Sequence, residues 1–134
     1  MRLVVDASVI IQLSLAGGAL GPLEGHELIA PPILASEVTS TLAEMTFRGE
    51  IQHDDARRAV ADLASLPIRY DRPDGLYVRS WDLARQLGWA KSYDAEYLAL
   101  ALIADAQLIT LDERMRRGAG HLVDMPQVTD LRPA

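Results

Sequence analysis

Four acids in this chain stand where a folded interior would not ordinarily carry them. Asp6 directly follows the apolar run Leu3-Val4-Val5, and Asp112 directly follows Gln107-Leu108-Ile109-Thr110-Leu111. Short runs of this kind read as strands buried on both faces, so each acid falls at a strand's carboxyl end, where open α/β sheets bind their ligands. Glu37 lies between Leu34 and Val38 on the apolar stripe of one helix. Asp94 falls in the first turn of another, at the edge of its stripe. In a parallel sheet, strand ends and the starts of the following helices share one edge. Asp6, Asp94 and Asp112 can therefore converge there, and Glu37 is early enough in its helix to join them. Carboxylates held together raise one another's pKa values. Hard divalent ions bound through oxygen relieve that repulsion, and Mg²⁺ or Mn²⁺ suits a set of acids without Cys or His. Such a site activates water and stabilises the charge that builds on a phosphoryl group, and two ions there would lie about 3.5–4 Å apart. One acid alone is better explained by helix capping or a surface salt bridge. The joint placement carries the signal.

The elements that must position these acids follow from the hydrophobic pattern. After the first strand, Val9, Ile10, Leu13 and Leu15 continue with helical spacing, and Gly17, Gly18, Gly21 and Pro22 make a loop. Glu27-Leu28-Ile29-Ala30 reads as a second strand, ended by Pro31-Pro32, and a helix over 33–47 follows with Leu34, Val38, Leu42 and Met45 as its stripe. His53-Asp54-Asp55 opens a third helix that packs through Ala56, Ala59, Val60, Leu63 and Leu66 and stops at Pro67. Ile68-Arg69-Tyr70-Asp71 is the next strand. Asp74 is expected to cap a helix over 75–87, packed through Tyr77, Trp81, Ala84 and Leu87 and stopped by Gly88. Ser92 is the expected cap of a helix carrying Ala95, Leu98, Ala99, Leu102, Ile103 and Ala106 at a 3.6-residue period. After the strand that ends at Asp112, a short basic helix runs from Glu113 to Arg117, and His121-Leu122-Val123 is a candidate final strand. Strands alternating with helices imply a central, mostly parallel sheet covered on both sides.

The 134 residues fit one domain with a core of ordinary size. No apolar run reaches the roughly 18 residues of a membrane span, and Arg2 leads straight into strand and acid rather than a signal peptide. The absence of cysteine excludes disulfides and thiolate metal sites and fits a reducing cytoplasm. A net charge of −6 argues against a broad polyanion binder, while the basic residues are arginines apart from Lys91, a composition suited to planar phosphate contacts.

Asp6-Ala7-Ser8, the Pro-Pro-x4-Glu motif that places Glu37 in its helix, Tyr93-Asp94-Ala95 and Thr110-Leu111-Asp112-Glu113-Arg114-Met115 together resemble the PIN-domain ribonucleases, most of all the VapC-type toxins of toxin–antitoxin pairs. The motifs are individually short, and it is their succession over nearly the whole chain that is specific. The resemblance implies a three-layer α/β/α sandwich and metal-dependent hydrolysis of RNA, with Mg²⁺ or Mn²⁺ held by Asp6, Glu37, Asp94 and Asp112. It implies Ser8 and Thr110 as hydrogen-bonding supports, a homodimer, and silencing by a cognate VapB-type antitoxin. Lys91, Arg114, Arg116 and Arg117 are candidates for RNA phosphates, with a solvated basic face as the alternative reading. Members often carry Asn three residues beyond the helix acid, where this chain has Ser40. Glu96 and Glu113 flank the four acids as candidate supports for them and are expected to be exposed. Trp81 and Trp89 are expected in the core or a dimer contact, and His26, His53 and His121 are too scattered to bind a metal together.

Three other classes compete. A haloacid dehalogenase-type phosphatase also places Asp after its first strand but needs an acid two residues on, where Ser8 stands; a receiver domain needs a neighbouring acidic pair before its first helix and a lysine after a late strand, a pattern that fits this chain less well still. A non-catalytic interaction module would have no reason to keep four mutually repelling carboxylates.

Overall fold

The computed structural model describes residues 2–17 and 20–134. Gly18, part of the loop expected after the first helix, lies outside them. Among the described residues four strands form one sheet: β1 (Arg2–Val5), β2 (Glu27–Ala30), β3 (Ile68–Tyr70) and β4 (Gln107–Ile109). Their order is β3-β2-β1-β4, and every pairing is parallel. Val4 pairs with Ile29 on one side and Leu108 on the other, and Val5 with Ile109. That register puts the carboxyl ends of β1 and β4 side by side. It extends one residue beyond β1 through the Asp6 amide, which donates to the Ile109 carbonyl at 3.2 Å.

Among the described residues six α-helices cover the sheet: α1 (Ala7–Leu15), α2 (Ile33–Phe47), α3 (His53–Leu63), α4 (Leu76–Leu87), α5 (Tyr93–Ala104) and α6 (Glu113–Ala119). α1, α2 and α3 pack on one another; α4 packs on α5, which lies against β1 and β4. This is the three-layer α/β/α arrangement expected from the alternating pattern. Leu3, Val4, Val5, Ile29, Leu108 and Ile109 have no exposed surface, as strands covered on both faces require.

Several local expectations are corrected. Asp74 does not cap α4; Gly75 occupies that position in the left-handed region, φ 80°, where no side chain is available to cap. The packed face of α4 is Leu76, Ser80, Leu83 and Ala84, whereas Tyr77 and Trp81 are exposed. Trp81 is instead stacked under the Arg85 guanidinium, 4.9 Å from the ring centre. Gly88 does end α4, at φ 71°. Ser92 stands before α5 without a side-chain capping bond, α3 stops at Leu63 ahead of Pro67, and α6 runs through Gly118 to Ala119. β3 ends at Tyr70 and β4 at Ile109, so Thr110 and Leu111 belong to the loop above the sheet. His121-Leu122-Val123 forms no strand, although the adjacent Asp124 carbonyl accepts from Leu108 at 3.0 Å.

α5 departs most from a simple amphipathic helix. Every residue from Ala95 to Ala101 is buried. A helix apolar all round belongs inside the molecule, and small Ala side chains let sheet and neighbouring helix approach it closely.

Candidate active site

The site is built from the edge at which β1 and β4 end. Asp6 is buried and opens α1: its Oδ1 accepts from the Ser8 amide at 3.0 Å, the Val9 amide at 3.4 Å and the Ser8 hydroxyl at 2.5 Å. Its other oxygen, Oδ2, accepts from the Thr110 hydroxyl. Thr110 has no exposed surface, and its Oγ1 accepts in turn from the Asp112 amide at 3.0 Å. Ser8 Oγ accepts from the Leu111 amide at 3.0 Å. Two hydroxyls thus stitch the end of β1 to the loop after β4 and fix Asp6 relative to Asp112. Asp112 repeats the capping role of Asp6, its Oδ1 accepting from the Arg114 amide at 2.9 Å and the Met115 amide at 3.3 Å at the start of α6. Capping and convergence are both real for these two acids.

Glu37 is half-buried on α2, and its Oε1 accepts from the hydroxyl of Tyr97, a fully enclosed side chain of α5. Asp94, in the first turn of α5, accepts from Arg114 Nη2 at 2.8 Å; the same nitrogen lies 3.7 Å from Asp112 Oδ2. Glu37, Trp89, Lys91, Tyr93, Asp94 and Arg114 line a cavity of about 530 Å³.

Electrostatics bind the four acids into one system. Burial raises the pKa of Asp6 against the opposing pull of its hydroxyl and amide donors. Burial also raises Glu37, whose carboxylate feels the charges of Asp94 and Asp6. Asp94 is raised by burial and by the charge of Asp112, with Arg114 pulling the other way. Burial and the bond to Glu37 push the Tyr97 hydroxyl well up, so it remains a donor. Among the described residues, no three acids or histidines stand close enough to grip one ion as their side chains are placed. Each of the four acids is instead bonded to a protein donor. Their chemistry nevertheless fits a hard cation: the donors are all oxygen, and burial disfavours the charged form of three of the carboxyls, a cost that a bound cation offsets.

The structure thus brings the four acids to one edge, with Ser8 and Thr110 bonded to Asp6 and with Lys91 and Arg114 on the cavity wall. Arg116 is corrected: its guanidinium turns inward to the Met125 carbonyl and, at 2.7 Å, the Thr110 carbonyl. Glu96 is also corrected. It is buried rather than exposed, and burial together with the Glu37 charge raises its carboxyl. Glu113 is exposed as expected, and Ser40 lies on an outer groove beside Phe47, away from the acid cavity. Trp89 is partly buried against the core, but Trp81 is not. Tyr97 was not singled out by the sequence pattern. Its signal is the spacing: three residues beyond Asp94, a phenol amid Ala and Leu shares that acid's helical face.

Residues 3–120 match the PIN domain model. Ribonuclease VapC9 of Mycobacterium tuberculosis is 32% identical over 114 residues, covering 84% of this chain and 87% of that protein. Ribonuclease VapC1 of the same organism is 32% identical over 123 residues, covering 87% and 90%. Among solved structures, PAE2754 from Pyrobaculum aerophilum superposes with a TM-score of 0.72 at 20% identity, covering 96% of this chain and 90% of that one. VapBC-1 from nontypeable Haemophilus influenzae does so with a TM-score of 0.63 at 18% identity, covering 97% and 100%. VapBC2 from Rickettsia felis, solved with a DNA fragment from its promoter, gives 0.64 at 12% identity, covering 95% and 98%. The chain belongs to the PIN-domain family, among its VapC members.

Proposed function

We propose that this chain is a divalent-metal-dependent endoribonuclease, one catalytic unit over residues 1–134, acting as the toxin of a toxin–antitoxin pair. The observation that carries the reading is the Thr110 hydroxyl bond between Asp6 and the Asp112 amide, at the same sheet edge that presents Glu37 and Asp94. Asp6, Glu37, Asp94 and Asp112 would hold Mg²⁺ or Mn²⁺, which supplies Lewis-acid stabilisation of phosphoryl charge and a more acidic water. Ser8 and Thr110 hold Asp6 in one orientation, so its free lone pairs face a fixed direction. Tyr97 occupies Oε1 of Glu37 and leaves Oε2 for the ion or for the attacking water. Lys91 and Arg114 offer positive charge to the RNA backbone at the cavity wall. In-line attack by water on the phosphodiester leaves a 3′-hydroxyl and a 5′-phosphate.

The partners follow from the same reading: an RNA substrate, a VapB-type antitoxin and a second copy of the chain. Two of the similar structures are described as VapBC, and the curated relatives are named ribonucleases. Phe47, Tyr77, Val78 and Trp81 are exposed apolar side chains available for protein contacts. No helix among the described residues is long and apolar enough to cross a membrane, and the reading places the protein in the cytoplasm. The direct test is RNA cleavage with Mg²⁺ or Mn²⁺ by the wild type, Asp6→Asn and Asp94→Asn. Both variants are expected to lose cleavage by at least about a hundredfold, as removal of one key charge-stabilising group does elsewhere. Unchanged turnover in both would contradict the reading.

A further inference from the structure

Two arginines of α6 behave differently. Arg116 is locked by two backbone carbonyls, and its side chain is only 16% exposed. Arg114 is 71% exposed, and among the described residues its guanidinium makes no hydrogen bond or ion pair except those to Asp94 and Asp112. It stands in the first turn of a helix, at the positive end of the helix dipole, which disfavours a cation. Contact with the two acids therefore accounts for its position. One unit charge is spread over two carboxylates, with a hydrogen bond to only one of them. A divalent ion brings twice the charge to the same oxygens, and ion pairs this exposed are weak.

We propose that Arg114 is a displaceable counter-ion of the acid site. It neutralises Asp94 and Asp112 until a divalent cation takes them, and its released guanidinium then binds an RNA phosphate at the cavity mouth. The role rests on the metal-dependent nuclease reading above. The swing requires no repacking, because the guanidinium is in solvent and the cavity that it lines also presents Lys91. The chain's net charge of −6 makes such local positive charge necessary for a polyanion to approach.

The proposal makes two effects of one substitution run in opposite directions. In calorimetric Mn²⁺ titrations of the full chain at low salt, Arg114→Gln should bind the ion roughly two- to fivefold more tightly, the range expected for losing an exposed ion pair. Arg114→Lys, which keeps the charge, should stay near the wild-type affinity. At saturating Mn²⁺, Arg114→Gln should raise the KM for RNA several-fold. A residue that merely supports the fold would weaken both interactions, and circular dichroism would show its loss. Mn²⁺ affinity that is unchanged or weaker in Arg114→Gln, or an unchanged KM, overturns the proposal. Equal, finite Mn²⁺ affinities reject the Arg114 role alone; no Mn²⁺ binding by either protein rejects the metal reading and the Arg114 role together.

Discussion

Asp6 serves the fold and the site at once, and the two roles pull in opposite directions. As a cap it completes α1, and as a buried charge it costs stability, which its raised pKa records. The folded chain holds the Asp6 proton more tightly than the unfolded chain does. Its contribution is therefore most favourable below the ordinary Asp value of 3.8 and is lost as pH climbs through the raised folded value. Asn caps helices as well as Asp and carries no charge. Asp6→Asn should therefore raise the melting temperature of the metal-free protein at pH 7 by about 3–5 °C, a gain of about 1 kcal/mol for a domain this size. The gain should vanish as pH falls below 4. Scanning calorimetry of both proteins across that range checks the sign, and the comparison cancels surface pairs such as Glu27 with Arg2, which act the other way. Thr110 belongs to the same scale. Thr110→Val leaves the Asp112 amide without its acceptor and Asp6 Oδ2 without its donor, for a loss of about 1–3 kcal/mol. Thr110→Ser should recover most of that in the same denaturation assay.

At the scale of elements, α5 is the axis on which the site is mounted. It presents Asp94 to the cavity and Tyr97 to Glu37 while burying Leu98 and Leu100 completely. Leu98→Ala should cost about 2–5 kcal/mol by equilibrium denaturation, because a helix enclosed on all sides cannot collapse onto the void. The four strands of the sheet, the long helix α2 and the parallel sense of the sheet were legible in the sequence, since covered strands and amphipathic helices leave periodic traces; the fifth strand expected at His121-Leu122-Val123 does not form. So were the four acids, whose positions at strand ends and helix starts are properties of pattern. The face of α4 was not legible. Tyr77 and Trp81 lie one turn apart and mimic a buried stripe, but Leu76 and Leu83 compete for the core and win, leaving Trp81 to Arg85. Glu96 was misread for a related reason: every side of α5 is buried between Ala95 and Ala101, so its side chain has nowhere to face solvent. The Tyr97 bond escaped because it joins residues 60 positions apart.

At the scale of the whole molecule, strand order and charge distribution matter most. The order β3-β2-β1-β4 puts the first and last strands of the chain side by side, which no local periodicity specifies. That adjacency joins Asp6 to Thr110 across 104 positions and makes one site from two ends of the sequence. The remainder of the chain reinforces the closure: the Ala134 amide donates to the Glu24 carbonyl at 2.9 Å, and His26 Nε2 pairs with the Arg132 carbonyl at 2.7 Å. Four carboxylates gather at one edge with Lys91 and Arg114 beside them, and the proposed uptake of a cation and then a phosphate chain rests on that arrangement. The most direct measurement is anomalous X-ray scattering from crystals soaked in Mn²⁺. The account predicts a manganese peak within coordination distance of Asp6 and at least one of Glu37, Asp94 and Asp112, with Arg114 turned away from Asp94. Manganese bound elsewhere, with these four acids still tied to their protein donors, would contradict it.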